Sequence, residues 1–148
     1  MNKNRIERET LIDAAPERVW PLVAEPGFWV TDEVNLTGMP GKEGDSVVAK
    51  SAEWGDYPVS TVKVDPPNYV AYRWASAFPG EDPSEHNSTL VEFTLTPEGD
   101  KTRLRVVESG FAALVASDEV RTKALEDNTT GWPEVLDAFK TRTEKTPV

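Results

Sequence analysis

The hydrophobic period of the chain changes after Gly110, and that change limits the fold more than any other feature of the sequence. Before it, Thr89–Thr96 and Thr102–Ser109 alternate apolar and polar side chains with a period of two, the pattern of half-buried strands. The segment between them, Pro97–Lys101, carries Gly99-Asp100, a hairpin signal. After it, Trp132, Val135, Leu136 and Phe139 recur at helical spacing and form a stripe on one helix face. Neither a one-sided sheet nor a striped helix can leave its apolar side in water, so the two must pack together. The pattern predicts an α+β chain.

Upstream, residues 5–13 alternate in the same way and predict another strand. Pro16 suits the first turn of a helix, Glu17 lies near its positive end, and Val19, Trp20 and Val23 supply its apolar face until Pro26-Gly27. Phe28 and Trp29 form an apolar patch ahead of a Gly- and Pro-rich loop over 35–45. Ser46–Lys50, Tyr57–Asp65 and Asn68–Ala75 read as strands, the last two joined through Pro66-Pro67. Residues 77–87 are an acidic loop. The C-terminal helix is expected from about Asp118 to about Thr143. Pro133 cannot donate to Thr129, so this region is either two helices or one that bends between Thr129 and Pro133.

Strand alternation sorts the side chains into two faces. Val70, Tyr72 and Trp74 point one way with Val91, Phe93 and Leu95 and with Leu104, Val106 and Glu108. Arg73, Glu92, Arg103 and Arg105 point the other way, a charge lattice on a wet face. Glu108 is the one ionisable group in the inner set. Its position at the end of a strand suggests a carboxyl where the sheet opens to water.

Composition excludes several functions. A chain of 148 residues is expected to be a single domain, 1–148, and its 16 Lys and Arg against 26 Asp and Glu give a charge of −10. So acidic a surface repels nucleic acid and anionic membranes, so neither is expected as a partner. With no Cys and one His, disulfides, thiolate chemistry and multi-histidine zinc sites are absent, and neither metal nor cofactor is expected. No apolar run reaches the roughly 20 residues that cross a bilayer. The N-terminus has no secretory h-region, so the expected location is cytoplasmic and the sequons at Asn35, Asn87 and Asn128 are expected to be idle. His86 lies in the acidic loop, where a solvated role is expected. No nucleophile elbow, Walker A or dinucleotide fingerprint occurs.

The order of strand, short helix, antiparallel strands and long C-terminal helix resembles the START-like, or SRPBCC, superfamily. Four segments carry the likeness: IDAAPERVWPLVAEP (12–26), PPNYVAYRW (66–74), TRLRVVESGF (102–111), and Asn128 followed by GWPEVLDAF (131–139). Together they are similar to the branch named for the activator of heat-shock-protein ATPase. The resemblance implies a helix-grip fold, in which a curved antiparallel sheet of about six strands wraps the helix and leaves a cavity. Tyr72, Trp74, Val91, Phe93, Leu95, Leu104, Val106, Glu108, Trp132, Leu136 and Phe139 would then line a site for a hydrophobic or aromatic small molecule. Trp132 would border a void rather than fill a tight core. No catalytic residue is assigned. Two alternatives stay open: a cyclase or hydrolase using a cavity carboxyl, with Glu108 its candidate, and a co-chaperone-like domain that binds a protein partner. Small-molecule binding ranks first.

Overall fold

The computed structural model describes residues 4–25, 27–29, 42–52, 55–78 and 80–145. The elements among them are β1 (Arg5–Ile12), α1 (Pro16–Val23), β2 (Ser46–Ser51), β3 (Gly55–Asp65), β4 (Tyr69–Trp74), β5 (Thr89–Glu98), β6 (Lys101–Ser109) and α2 (Asp118–Lys145), with a 3-10 turn at Phe111–Ala113. Pro26, Asn35 and most of the expected loop over 35–45 lie outside the described residues.

All strands pair antiparallel into one sheet in the order β1-β6-β5-β4-β3-β2. Strands β2 to β6 therefore follow one another as a meander, and β1 closes the far side against β6. The β5–β6 hairpin is longer than the alternation predicts. Its register reaches Glu98↔Lys101, so Gly99-Asp100 alone makes the turn, with Gly99 at φ 63°. A two-residue hairpin needs positive φ, which glycine adopts without a steric penalty. Helix α1 starts on Pro16, whose missing N–H costs nothing in the first turn.

The inner face holds Val59, Val70, Val91, Phe93, Leu104 and Val106, all buried, with Val19 and Val23 of α1 packed into the same core. On the outer face the charges pair differently from the expected lattice. Arg105 pairs with Glu7 and Arg103 with Glu98, with Glu9 at 3.4 Å from Arg103. Glu92 instead accepts from the Tyr69 hydroxyl at 2.6 Å, and Arg73 donates to Ser88 Oγ at 3.4 Å. Strand β1, paired beside β6, brings Glu7 to Arg105 and Glu9 to Arg103, and Glu98 of β5 makes the closer pair with Arg103. Such exposed pairs contribute about 0–1 kcal/mol each.

Helix α2 is one continuous helix through Pro133, not two. Pro133 faces solvent, so the loss of its hydrogen bond falls on the wet side of the helix rather than in the core. The C-terminal half is fastened to the start of the chain. Lys140 Nζ donates to the Leu11 carbonyl at 2.9 Å, the Asp13 N–H donates to Glu144 at 2.8 Å, and Arg18 donates to the Thr143 carbonyl at 3.3 Å. The backbone of α2 comes closest to β1, so the helix lies toward one side of the sheet. No helix among the described residues is long and apolar enough to cross a membrane.

Because Thr129 has no amide donor at Pro133 and Gly131 sits beside it, α2 should be weakest there. Amide hydrogen exchange should show lower protection over Asn128–Gly131 than around Leu136. Uniform protection along the helix would contradict this.

Candidate binding cleft

Inner-face alternation brings Trp74 of β4, Thr89 of β5 and Glu108 of β6 together at one end of the sheet, with Trp74 and Thr89 in direct register. On α2, Asn128 and Trp132 are four residues apart and share the face that meets them. The outcome is a carboxyl surrounded by donors. Oε1 of Glu108 accepts from Trp132 Nε1 at 2.8 Å and from Asn128 Nδ2 at 3.0 Å. Oε2 accepts from Thr89 Oγ1 at 2.6 Å and from Trp74 Nε1 at 2.9 Å. Asn128 also donates to Ser76 Oγ at 3.1 Å.

The strand-end expectation for Glu108 is therefore corrected: its exposure is 0%. The sheet does not open to water there, because α2 closes over the row. Burial pushes the Glu108 carboxyl above its ordinary value, and hydrogen bonds from Thr89, Trp132, Trp74 and Asn128 pull against that shift. The neutral acid keeps every contact if its proton lies on Oε2 and points at the Thr89 oxygen. Both indoles can only donate, so they hold either form.

Beside this cluster a cleft of about 820 Å³ opens between α2 and the β3–β4 part of the sheet. Tyr57, Trp74 and Ser76 line its sheet side, together with Phe28 and Trp29; Asn128, Trp132, Val135 and Phe139 form the helix side. Lys123, Asp127, Glu134 and Arg142 add charged groups along the helix, the first two paired at 3.1 Å.

Of the residues expected to line a cavity, Trp74, Trp132 and Phe139 do so. Tyr72, Val91, Phe93, Leu95, Leu104, Val106 and Leu136 sit in the core behind it, and so does Glu108. Tyr72 offers no hydroxyl to the cleft, since that group donates to the Val23 carbonyl at 2.7 Å and burial raises its pKa. Trp132 borders the cleft at 2% exposure, yet its N–H also holds Glu108, so it is more than a wall. His86 is exposed in its loop. Asn128 is a sequon position, but its amide is spent inside. No group of three or more His, Cys, Asp or Glu that could hold a metal occurs among the described residues.

Sequence reasoning missed Phe28, Trp29 and Tyr57. The available signal was Gly27 directly before Phe28-Trp29. Gly27 has φ 76°, and a Cβ there would lie 2.6 Å from the Ala49 Cβ. Only glycine allows the chain to pass this close over β2 and turn the two aromatic rings inward. Trp29 then meets Phe28, Tyr72, Trp74, Phe93 and Trp132, with ring centroids 5.4 to 5.9 Å apart.

A family model described as Activator of Hsp90 ATPase homolog 1-like protein matches residues 13–144. No curated protein is significantly similar in sequence. Among solved structures, protein MLL2253 from Mesorhizobium loti is 20% identical, with a TM-score of 0.73 over 97% of this chain and 99% of that one. The Aha1 dimer from Colwellia psychrerythraea is 19% identical, with a TM-score of 0.69 over 95% and 96%. DynU16, a putative protein in the dynemicin biosynthetic locus, is 18% identical with a TM-score of 0.71; the match covers 96% of this chain and 48% of that one. At these identities the likenesses establish the fold, an antiparallel sheet with a long C-terminal helix.

Two outcomes are expected from the site's geometry. In Glu108→Gln the amide NH₂ must face one oxygen site or the other, and each holds an indole N–H that cannot accept. The substitution should cost about 1–3 kcal/mol. A raised folded pKa makes the stability from Glu108 complete below the ordinary carboxylate range and lost as pH rises through the folded value. Denaturant melts should thus show the gap between wild type and Glu108→Gln narrowing as pH rises; a widening gap would refute the sign. Gly27→Ala should cost about 1–2 kcal/mol from its backbone conformation alone. It should also shift the Trp29 indole N–H resonance, and an unmoved resonance would disprove the placement argument.

Proposed function

The chain belongs to the Activator of Hsp90 ATPase homolog 1-like family, within the START-like superfamily, and we propose that it binds a hydrophobic or aromatic small molecule in the cleft beside α2. Its fold is that of a ligand-binding or co-chaperone-like domain. The observation that carries the reading is the cleft wall. Trp74, Trp132 and Asn128 spend their N–H groups on Glu108, and all three side chains line a space of about 820 Å³. That size lies within the range of small-molecule sites, which are largely apolar with a few polar groups at the edge. The charged groups along α2 supply that edge.

Glu108 acts here as a positioning residue. It fixes the ring planes of the two indoles and does not itself face the ligand. The cyclase or hydrolase alternative gains no support from it, because an acid or base must reach the reacting atom. The proposal includes a single domain working in the cytoplasm, without metal or cofactor.

Titration of ¹⁵N-labelled protein with fluorenone, followed through backbone and indole N–H signals, tests the reading. Saturable shifts are expected at Tyr57, Trp74, Gly131, Val135 and Ala138. Trp132→Ala should change the affinity by about fivefold or more, equivalent to ~1 kcal/mol. If no cleft residue responds, the small-molecule reading fails and a protein-binding surface takes its place.

A further inference from the structure

Trp29 borders the cleft from within a cage of aromatic rings. Its ring is enclosed by those of Phe28, Tyr72, Trp74, Phe93 and Trp132, edge-on to Phe28 and Trp74 and tilted to the other three. The two edge-on pairs have a favoured geometry for aromatic rings. The enclosure spans the inner sheet face and α2, so a bicyclic ring fills the gap between the two layers.

The enclosure suits the ring but not its N–H. Trp29 Nε1 is buried without a hydrogen-bond partner among the described residues. The polar atoms around it are already engaged: Trp74 and Trp132 donate to Glu108, and Tyr72 donates to Val23. The two indoles can only donate, and the Tyr72 oxygen, which keeps lone pairs, does not accept from Trp29 Nε1. A buried donor left unpaired loses its water hydrogen bond without replacement. Trp29 is therefore the one indole in the cluster that would gain a hydrogen bond by leaving. Trp74 and Trp132 would each lose one.

The geometry points to an aromatic cage that takes a planar, bicyclic aromatic ring without a hydrogen-bond donor, and that Trp29 occupies until such a ring displaces it. This deepens the reading of the cleft as a small-molecule site and rests on it. Naphthalene matches the shape of the indole and carries no donor. It would keep the ring contacts, and the displaced indole N–H would find an acceptor in water. Trp29 then competes for the cage rather than walling it.

The competitor and wall roles predict opposite signs. Removing a competitor raises apparent affinity, because the binding-competent fraction rises, whereas removing a wall lowers it. The experiment titrates wild type and Trp29→Ala with naphthalene and follows indole N–H signals, that of Trp29 assigned through Trp29→Phe. Trp29→Ala should bind naphthalene about threefold or more tightly than wild type. In wild type, which needs no variant to fold, bound naphthalene should bring the Trp29 N–H to rapid solvent exchange while Trp74 and Trp132 stay protected. Weaker binding by Trp29→Ala, or a Trp29 N–H that stays protected in the wild-type complex, would overturn the cage and leave the cleft reading intact. Absence of saturable naphthalene binding would overturn the cage too. The fluorenone titration then shows whether the wider cleft reading falls with it.

Discussion

A carboxyl group without solvent around it survives in a folded protein only if every lone pair it shows is matched, and Glu108 meets that condition with donors from β4, β5 and α2. The four contacts join a row of adjacent strands to the middle of the long helix, which fixes both the height of the helix above the sheet and its rotation. Apolar packing alone would leave that rotation loosely defined, since a stripe such as Trp132, Leu136 and Phe139 tolerates small rolls. The hydrogen bonds do not. The indole planes of Trp74 and Trp132 follow from the same constraint, and with them the shape of the cleft wall.

The second fastening lies at the other end of α2. Lys140, Glu144 and Thr143 hold the C-terminal turns to Leu11, Asp13 and Arg18, next to β1. With the helix held toward β1 and its middle tied to Glu108, the space above β3 and β4 is covered by side chains and not by backbone. Trp29 enters that space, guided by the close approach of Gly27 to Ala49. The cleft is what remains beside it. Its existence follows from an asymmetric helix position more than from any shortage of large residues.

Much of the architecture was legible. Alternation placed the two C-terminal strands and the spacing of Trp132, Leu136 and Phe139 placed the helix, because both patterns record which side of an element meets water. The inner set of Tyr72, Trp74, Phe93, Leu104 and Val106 is buried as alternation requires. The site was less legible. Alternation says that a residue points inward, but not whether it ends in the core or at a cavity edge, and most of the expected lining residues belong to the core. Glu108 was visible as an inward carboxyl, yet its four partners come from positions 74, 89, 128 and 132, and no local pattern joins them. The pairing of Arg105 with Glu7 of β1 was hidden for the same reason: it depends on which strand lies next to β6.

Local chemistry by itself determined which segments form strands, hairpin and helices, which faces are apolar, and which reactions the composition rules out. These properties depend on neighbours a few residues apart, so a linear reading reaches them. Only the tertiary structure decided that Glu108 is sealed and surrounded by donors, that Pro133 sits on the wet side of an unbroken helix, and that Trp29 stands among the cleft's rings. Each of these depends on groups far apart in the chain arriving within hydrogen-bond or van der Waals distance. Those distances are set by packing the whole sheet against the helix at once, and no segment of the sequence specifies them alone.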